Sequence, residues 1–190
     1  LKGLKRKYVR TPLAEQVHER AIAELKGHIQ TLEAEIQRLI DQDPHLRSTL
    51  ALLISIPGVG LLLAAHMLVL FHTAPQPLSP KSLAAFVGIC PYEDSSGTSV
   101  YHTPTSRHYG PPALRKLLFL AAMSISTHSR PFQLYSLRKA QEGKPKKVIL
   151  NNIANKLLKV MVAVVRSRTP YIPDYRSVHP GLLLRPLTNS

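Results

Sequence analysis

Residues 50–71 read LALLISIPGVGLLLAAHMLVLF, an almost wholly apolar run. Its length is close to that of a single membrane-spanning helix. Pro57, Gly58 and Gly60 interrupt it, however, and a Pro-Gly pair favours a turn over a continuous helix. We therefore interpret the run as two buried helices joined by a tight turn, the second beginning near Val59, and keep a membrane span as the alternative. This arrangement predicts a mainly α fold.

One long helix is predicted before this run, over residues 12–41. Thr11 can cap it and Pro12 suits its first position, whereas Asp43-Pro44 should end the helical path. Spacings of three and four residues, typical of a coiled-coil seam, separate Ile22, Leu25, Ile29, Leu32, Ile36 and Leu39. We expect this coiled-coil helix to form a homo-oligomer, a dimer or a tetramer. Packing of the seam on its own domain is the alternative.

Helical patterns return after the apolar run. A short helix is predicted through residues 82–86, another after Pro111-Pro112 and a long one after Pro145. Residues 88–111 are rich in Gly, Ser, Thr, Pro and Tyr and have no helical period, so they form a loop or a short hairpin. The predicted divisions are a basic N-terminal segment with the coiled-coil helix (1–47), a C-terminal domain (48–175) and an extended tail (176–190).

The charge of the chain is strongly positive, with 25 Lys and Arg residues against 11 Asp and Glu and a formal net charge of +14. Most of the excess lies after residue 50, where a segment so short of carboxylates cannot neutralise its own cations. A polyanion is therefore the expected partner, and a merely solvated basic surface is the alternative. Cys90 is the single cysteine, which excludes an internal disulfide and a thiolate zinc cluster. The first residues lack a cationic segment followed by an apolar one, so we expect no signal peptide.

Carboxylates are too scarce after residue 50 to build a complete two-metal site for phosphodiester chemistry. The four present are Glu93, Asp94, Glu142 and Asp174. The histidines show no HxH or HxxxH pair, so a zinc site is not supported either. We expect neither a metal site nor a cofactor in this chain.

The pentapeptide Ile56-Pro57-Gly58-Val59-Gly60 has the form of a helix-hairpin-helix turn. Gly58 and Gly60 would let the backbone approach a phosphate, and the N–H groups that begin the next helix can bind its charge. The alternative is a tight turn between two core helices, and the two interpretations are compatible.

The segment 93–110 is the best place for chemistry. Ser95 and Ser96 precede Gly97, which permits a sharp turn that exposes a hydroxyl group. His102, Arg107, His108, Arg115 and Lys116 follow as groups that can hold a phosphate. Further along, we expect Lys144, Lys156 and Lys159 to contact nucleic acid. Ser-Ser-Gly is a common loop tripeptide, so a nucleophilic serine and an ordinary loop both remain open.

The order of these motifs resembles a known family. After the coiled-coil helix come 56–60, Ala84-Ala85-Phe86-Val87-Gly88-Ile89-Cys90-Pro91, Ser96-Gly97, Gly110, Leu114-Arg115-Lys116-Leu117-Leu118, Ala121-Ala122, Gly143-Lys144, Lys156-Leu157-Leu158 and Pro170-Tyr171. Over about residues 12–175 this is similar to the C-terminal region of bacterial insertion-sequence transposases of the IS-one-ten and IS-eleven-eleven group.

The resemblance implies a DNA transposase or recombinase of the bacterial cytoplasm, associated with the nucleoid. In that family a RuvC-like domain holds Mg²⁺ and the C-terminal transposase domain carries a serine nucleophile, while a non-coding RNA helps to choose the DNA. Ser96 occupies the family's Ser-Gly position, and Arg107 and Arg115 match the basic positions that follow it.

Two departures from the family pattern affect the expected activity and the choice of nucleophile. We expect the family's RuvC-like domain to be missing before Leu1, and we therefore expect a fragment or a truncated product that binds nucleic acid without recombining it. Ser95 lies beside Ser96 and is the less favoured nucleophile. The general base stays open among His102, His108 and a carboxylate of the RuvC-like domain. The alternative functions are a non-catalytic helix-hairpin-helix binding module and a coiled-coil assembly protein.

Overall fold

The computed structural model describes residues 11–73, 79–92, 95–96, 100–101, 105–106 and 110–173. The chain divides into two compact units, Leu1–Arg47 and Ser48–Ser190. Every long described element is a helix, which confirms the mainly α fold class.

The first unit is dominated by helix α1, Pro12–Asp41. Its start is fixed by Thr11, whose side chain accepts the N–H of Ala14 at 3.3 Å, and by Pro12 at the first helical position. After α1, the Asp43 carboxylate accepts the N–H of His45 at 2.7 Å and caps the next helix, which starts at Pro44. The predicted bounds of the long helix are therefore confirmed.

The apolar run folds as two helices, α2 (Pro44–Ile54) and α3 (Leu61–Thr73), joined by a turn at residues 55–60. Gly58 in the turn has φ +83°, a conformation that L side chains rarely adopt. Ile56 and Val59 on either side of Gly58 are buried. The predicted division of the run is confirmed, and neither helix is long enough to cross a membrane.

Helix α4 (Pro80–Val87) begins at Ser79, whose hydroxyl accepts the N–H of Ser82 at 3.1 Å, and ends at Gly88 in the left-handed region. Four two-residue strands follow: β1 (Pro91–Tyr92), β2 (Ser95–Ser96), β3 (Val100–Tyr101) and β4 (Thr105–Ser106). β1 pairs with β4 and β2 with β3, both antiparallel. Of the two predicted alternatives for residues 88–111, the hairpin is therefore observed.

Three helices complete the second unit: α5 (Pro112–His128), α6 (Arg130–Gln141) and α7 (Lys146–Ser167). Helix α5 packs on α3, α4, α6 and α7, and α7 packs also on α4 and α6. The core between them is apolar and includes fully buried Leu118, Ile125, Ile153, Leu157, Leu158 and Met161. Helix α6 is not among the sequence predictions, because its segment is mostly polar and buries only Phe132.

Helix α7 is long and apolar enough to span a membrane by length and composition alone. Its buried residues, among them Ile153, Leu157 and Met161, belong to the helical core. Lys156 and Lys159 are exposed on the same helix. Burial of one face with cations on the other is what the central helix of a folded domain shows, so we interpret α7 as such a helix.

Candidate nucleic-acid interface

The two predicted nucleophiles lie in the inner strand pair of the hairpin. Ser95 is opposite Tyr101 and Ser96 is opposite Val100, while the outer pair joins Pro91 with Ser106. Three residues, 97–99, separate Ser96 from its strand partner. The backbone of both serines is therefore held by antiparallel pairing, whereas their side chains lie outside the described part of the structure.

The base of the hairpin is pressed against the end of α4. A Cβ on Gly110 would overlap the carbonyl oxygen of Phe86 and lie 2.7 Å from the Cα of Val87, so only glycine fits where the chain returns to the helical core. Nη1 of the half-buried Arg115 lies 3.4 Å from the Val87 carbonyl oxygen. Arg115 therefore contacts the base of the hairpin in addition to any contact with nucleic acid.

Two asparagines of α7 fix the other end of the hairpin. The side-chain amides of Asn151 and Asn155 both donate to the carbonyl oxygen of Ile89, each at 2.9 Å. Ile89 is itself fully buried, and a buried carbonyl with two donors is fully satisfied. The chain thus enters the hairpin from a position fixed by α7. Sequence patterns assigned Asn155 only to the polar face of its helix and did not predict this contact.

The turn at residues 56–60 packs against the core. A Cβ on Gly58 would lie 3.2 Å from the carbonyl oxygen of Ala121 and 3.4 Å from Cβ of Ile125, both on α5. Gly60 is exposed, and a Cβ there would meet nothing within 4 Å. Gly58 therefore serves the packing of α5, and Gly60 alone leaves room for an approaching phosphate.

Positive charge is concentrated on the segment 110–173. It holds twelve Lys and Arg residues against a single carboxylate, Glu142. Lys116, Lys144, Lys156 and Lys159, all predicted to contact nucleic acid, are exposed. Such an imbalance attracts a polyanion over distances of about a Debye length, roughly 8–10 Å at moderate salt.

Glu142 is held by its neighbours. Nζ of Lys139 lies 2.6 Å from Oε2 of Glu142. This hydrogen bond, and the charges of Lys139, Arg138 and Lys144, lower the pKa of Glu142. The carboxylate is therefore ionised at neutral pH, and it neutralises Lys139 where it would otherwise add to the basic surface.

An open cleft of about 390 Å³ lies between α6 and α7. Its walls are Pro131, Phe132, Leu134, Tyr135, Arg138 and Lys156. Nζ of Lys156 lies 4.6 Å from the centroid of the Tyr135 ring, and Cζ of Arg138 lies 5.7 Å from it. Sequence reasoning missed Tyr135 and Arg138, because α6 was not predicted and the contact with Lys156 depends on how α6 packs on α7.

The remaining predicted site residues fall outside the described part of the chain. These are Arg107 and His108 of the proposed phosphate-binding group and His102, a candidate general base. Within the described residues no three His, Cys, Asp or Glu side chains converge to hold a metal ion; Glu93 and Asp94 lie outside that set.

Comparison with known proteins identifies the family. Residues 42–136, which contain α2 to α5, the whole hairpin and half of α6, match the family described as Transposase IS116/IS110/IS902 family. The chain belongs to this transposase family. The match includes Ser95, Ser96 and the turn at 56–60.

The chain is also similar in sequence to individual relatives. The chain is 35% identical over 144 residues to the pilin gene-inverting protein of Moraxella lacunata, covering 75% of this chain and 45% of that protein. It is 30% identical over 142 residues to the insertion element IS110 uncharacterized 43.6 kDa protein of Streptomyces coelicolor, covering 74% and 33%. A probable family 20 transposase of Pseudomonas aeruginosa is 29% identical over 161 residues, covering 80% and 46%. The aligned region is thus less than half the length of each of these relatives.

Proposed function

We propose that this chain is the DNA-binding, serine-bearing part of a DNA transposase or recombinase. The observation that carries the proposal is the family match over residues 42–136, which contains Ser96 within the hairpin. The pilin gene-inverting relatives support it, since inversion of a gene requires breaking and rejoining DNA strands. The twelve cations of residues 110–173 supply the electrostatic attraction that DNA binding needs.

In the proposed reaction Oγ of Ser96 attacks a DNA phosphorus atom. A bond forms between Oγ and phosphorus, and the bond from phosphorus to a deoxyribose oxygen breaks. The Oγ proton passes to a general base, and the departing sugar oxygen takes up a proton to become a hydroxyl group. The phosphoserine that results conserves the phosphodiester energy, so a second sugar hydroxyl can attack it. A bond then forms between that sugar oxygen and phosphorus, the bond from Oγ to phosphorus breaks, and the hydroxyl proton is returned to Oγ through the general base, which completes strand exchange.

The candidates for the general base that accepts the Oγ proton are His102, His108 and a carboxylate of a RuvC-like domain. The proposal places Mg²⁺ on that RuvC-like domain, following the family resemblance. The described residues of this chain do not offer a suitable set of oxygen ligands, since no three acidic or histidine side chains converge there.

Two partners besides DNA belong to the proposal. A guide-type non-coding RNA would help to select the DNA and would be attracted by the same basic surface. A second copy of the chain would pair through the exposed apolar side chains of α1, which include Leu25 and Leu32. The proposed place of action is the bacterial nucleoid.

The nucleophile is tested by trapping covalent protein–DNA adducts. The chain is expressed with its flanking coding sequence, and Ser96→Ala is compared with Ser95→Ala, its neighbour in the same strand. We expect Ser96→Ala to reduce adduct by at least about a hundredfold, the scale on which removing a serine nucleophile acts, and Ser95→Ala to retain it. DNA affinity, measured by fluorescence anisotropy, should stay the same in both.

Other outcomes would change the assignment. Loss of adduct in Ser95→Ala alone would move the nucleophile to Ser95. Adduct retained in both variants would overturn serine catalysis and leave the alternative, a non-catalytic nucleic-acid-binding module. That alternative is favoured by the basic surface alone, and it predicts salt-sensitive affinity in the absence of any adduct.

A further inference from the structure

We propose that the cleft between α6 and α7 binds one unpaired nucleotide of a DNA strand, with the base against Tyr135 and the phosphate between Arg138 and Lys156. The inference deepens the proposed function and rests on it, because it assigns a place and a conformation to part of the bound DNA. None of the described residues of the hairpin that carries Ser96 lines this cleft.

The lining of the cleft combines the two chemistries of a nucleotide. Phe132 is buried, and the neighbouring Pro131 and Leu134 are exposed, so they present an apolar surface to solvent. Arg138 and Lys156 are exposed cations at the edge of the same cleft. An apolar floor beside two cations suits a flat base joined to a charged phosphate, and the volume lies within the range of small-ligand sites.

Tyr135 is the residue on which the base would stack. Its ring already attracts the Lys156 ammonium group at 4.6 Å and the Arg138 guanidinium group at 5.7 Å. Cation–π contacts at exposed sites are weak and leave the ammonium group largely solvated. A base can therefore replace Lys156 over the ring, since base–aromatic stacking is typically the stronger contact. The displaced ammonium group then remains within reach of the phosphate of the same nucleotide.

Charge selects the occupant of the cleft. Neither Asp nor Glu is among the described residues that line the cleft, and the single carboxylate of residues 110–173, Glu142, is paired with Lys139. An acidic ligand is therefore favoured over a cationic or neutral one. Duplex DNA keeps its bases stacked inside the helix, so only an unpaired nucleotide can offer a base face to Tyr135.

The test compares single-stranded with duplex DNA of equal length, using the 190-residue chain and anisotropy of end-labelled oligonucleotides. Tyr135→Leu removes the aromatic ring and keeps an apolar side chain, whereas Tyr135→Phe keeps the ring and serves as the matched control. We expect Tyr135→Leu to weaken single-strand binding roughly tenfold, the size of one lost stacking contact, and duplex binding by less than twofold. Tyr135→Phe should bind both like the unchanged chain.

A spectroscopic measurement reports the stacking directly. A single-stranded oligonucleotide with one 2-aminopurine should lose fluorescence on binding the unchanged chain and Tyr135→Phe, and should lose less on binding Tyr135→Leu. Thermal unfolding of each variant shows whether the fold is intact. If Tyr135→Leu does not fold, Tyr135→Met, which also removes the ring and keeps an apolar side chain that favours a helix, gives the same comparison.

The outcomes separate this inference from the proposed function. Equal losses for single-stranded and duplex DNA, or no loss in Tyr135→Leu, would overturn the nucleotide site while DNA binding stands. With single-stranded RNA of the same length as a third probe, a loss in Tyr135→Leu that is confined to RNA would overturn the assignment to DNA. Absence of any DNA binding by the unchanged chain would instead overturn the proposed function itself.

Discussion

Gly58 and Gly60 stand two positions apart in the turn between α2 and α3. Gly58 adopts a positive φ and faces the backbone of α5 at Ala121. Gly60 has open space around it and directly precedes the first residue of α3. Backbone N–H groups at the start of a helix can bind a phosphate, and the open space around Gly60 is where one could approach α3.

The two glycines can be separated by experiment. Gly58→Ala should lower the free energy of unfolding by about 1–3 kcal/mol, because alanine is strained at φ +83° and its Cβ would crowd α5. Gly60→Ala should change stability by less than about 0.5 kcal/mol. If the turn contacts a phosphate through Gly60, Gly60→Ala should weaken DNA binding by about 1 kcal/mol, the size of one hydrogen bond.

Chemical denaturation measures the change in the free energy of unfolding, and DNA titration measures the change in affinity. Unchanged DNA affinity in Gly60→Ala would contradict the helix-hairpin-helix interpretation and would show that the turn serves packing only.

The sequence could not distinguish packing from phosphate binding, because the same two glycines are compatible with both roles. Only the position of α5, which lies more than fifty residues further along the chain, shows that Gly58 is needed for packing.

At the scale of elements, α1 exposes five of the six apolar positions that the coiled-coil spacing predicts, and the sixth, Ile36, is half-buried. Ile22, Leu25, Ile29, Leu32 and Leu39 are 45%, 60%, 53%, 64% and 51% exposed. Five exposed apolar side chains along one seam are far more than scattered surface residues. A polar pair on the same helix, Glu35 and Arg38, is held at 2.7 Å; their hydrogen bond lowers the pKa of Glu35 and raises that of Arg38.

Measuring the oligomeric state tests whether the chain associates with itself through the apolar seam of α1. Leu25→Lys with Leu32→Lys places two charges on it and should convert an oligomer into monomers, because a buried pair of unpaired ammonium groups is strongly unfavourable. Ala23→Lys with Gln30→Lys adds the same charge to exposed positions outside the seam and should leave the oligomer intact. Light scattering after size exclusion gives the masses. A monomeric unchanged chain, or equal masses in both double variants, would remove self-association through α1.

A helix was predictable from the sequence where it had both an apolar stripe and residues that mark its two ends. The bounds of α1 follow from Thr11, Pro12 and the Asp43-Pro44 break, each of which acts within one turn of the helix end. Helix α6 has no such apolar stripe, although Pro131 near its start and Gly143 just beyond its end were readable signals. Because α6 was not predicted, Tyr135 could not be placed beside Lys156. The cleft between α6 and α7 could therefore not be predicted from the sequence.

At the scale of the whole molecule, the distribution of charge decides how the chain should respond to salt. Each phosphate that binding neutralises lowers the logarithm of the affinity by about 0.9 per unit of log salt concentration. Residues 110–173 carry twelve of the Lys and Arg residues of the described structure, and one of them, Lys139, is paired with Glu142. Salt dependence therefore reports how many of these cations face DNA.

Removing Glu142 should strengthen binding. Glu142→Gln frees Lys139, and we expect the salt slope to steepen by about 1 and affinity at low salt to rise. Glu35→Gln frees Arg38 from an equivalent ion pair on α1 and is the matched control, with an expected slope equal to that of the unchanged chain. Equal changes in both variants would show that the effect is one of net charge and not of a defined surface.

The pH dependence of the Glu142 variant has a defined sign. The pKa of Glu142 is lowered in the folded chain, so its ion pair is fully present above the ordinary carboxylate pKa and is lost as pH falls through the lowered value. Between about pH 6 and 8 the carboxylate stays ionised. The difference between Glu142→Gln and the unchanged chain should therefore be constant over that range.

The hairpin leaves and rejoins the helical core at a single place. Ile89 is fastened to α7 by Asn151 and Asn155, and Gly110 lies against the last turn of α4. Ile89 and Gly110 both belong to the described core, and lengthening a loop between fixed ends costs little free energy. We therefore expect the helical core to fold without the native sequence of residues 91–109. A different hairpin could be grafted between the same two anchors, giving this scaffold new chemistry without a new fold.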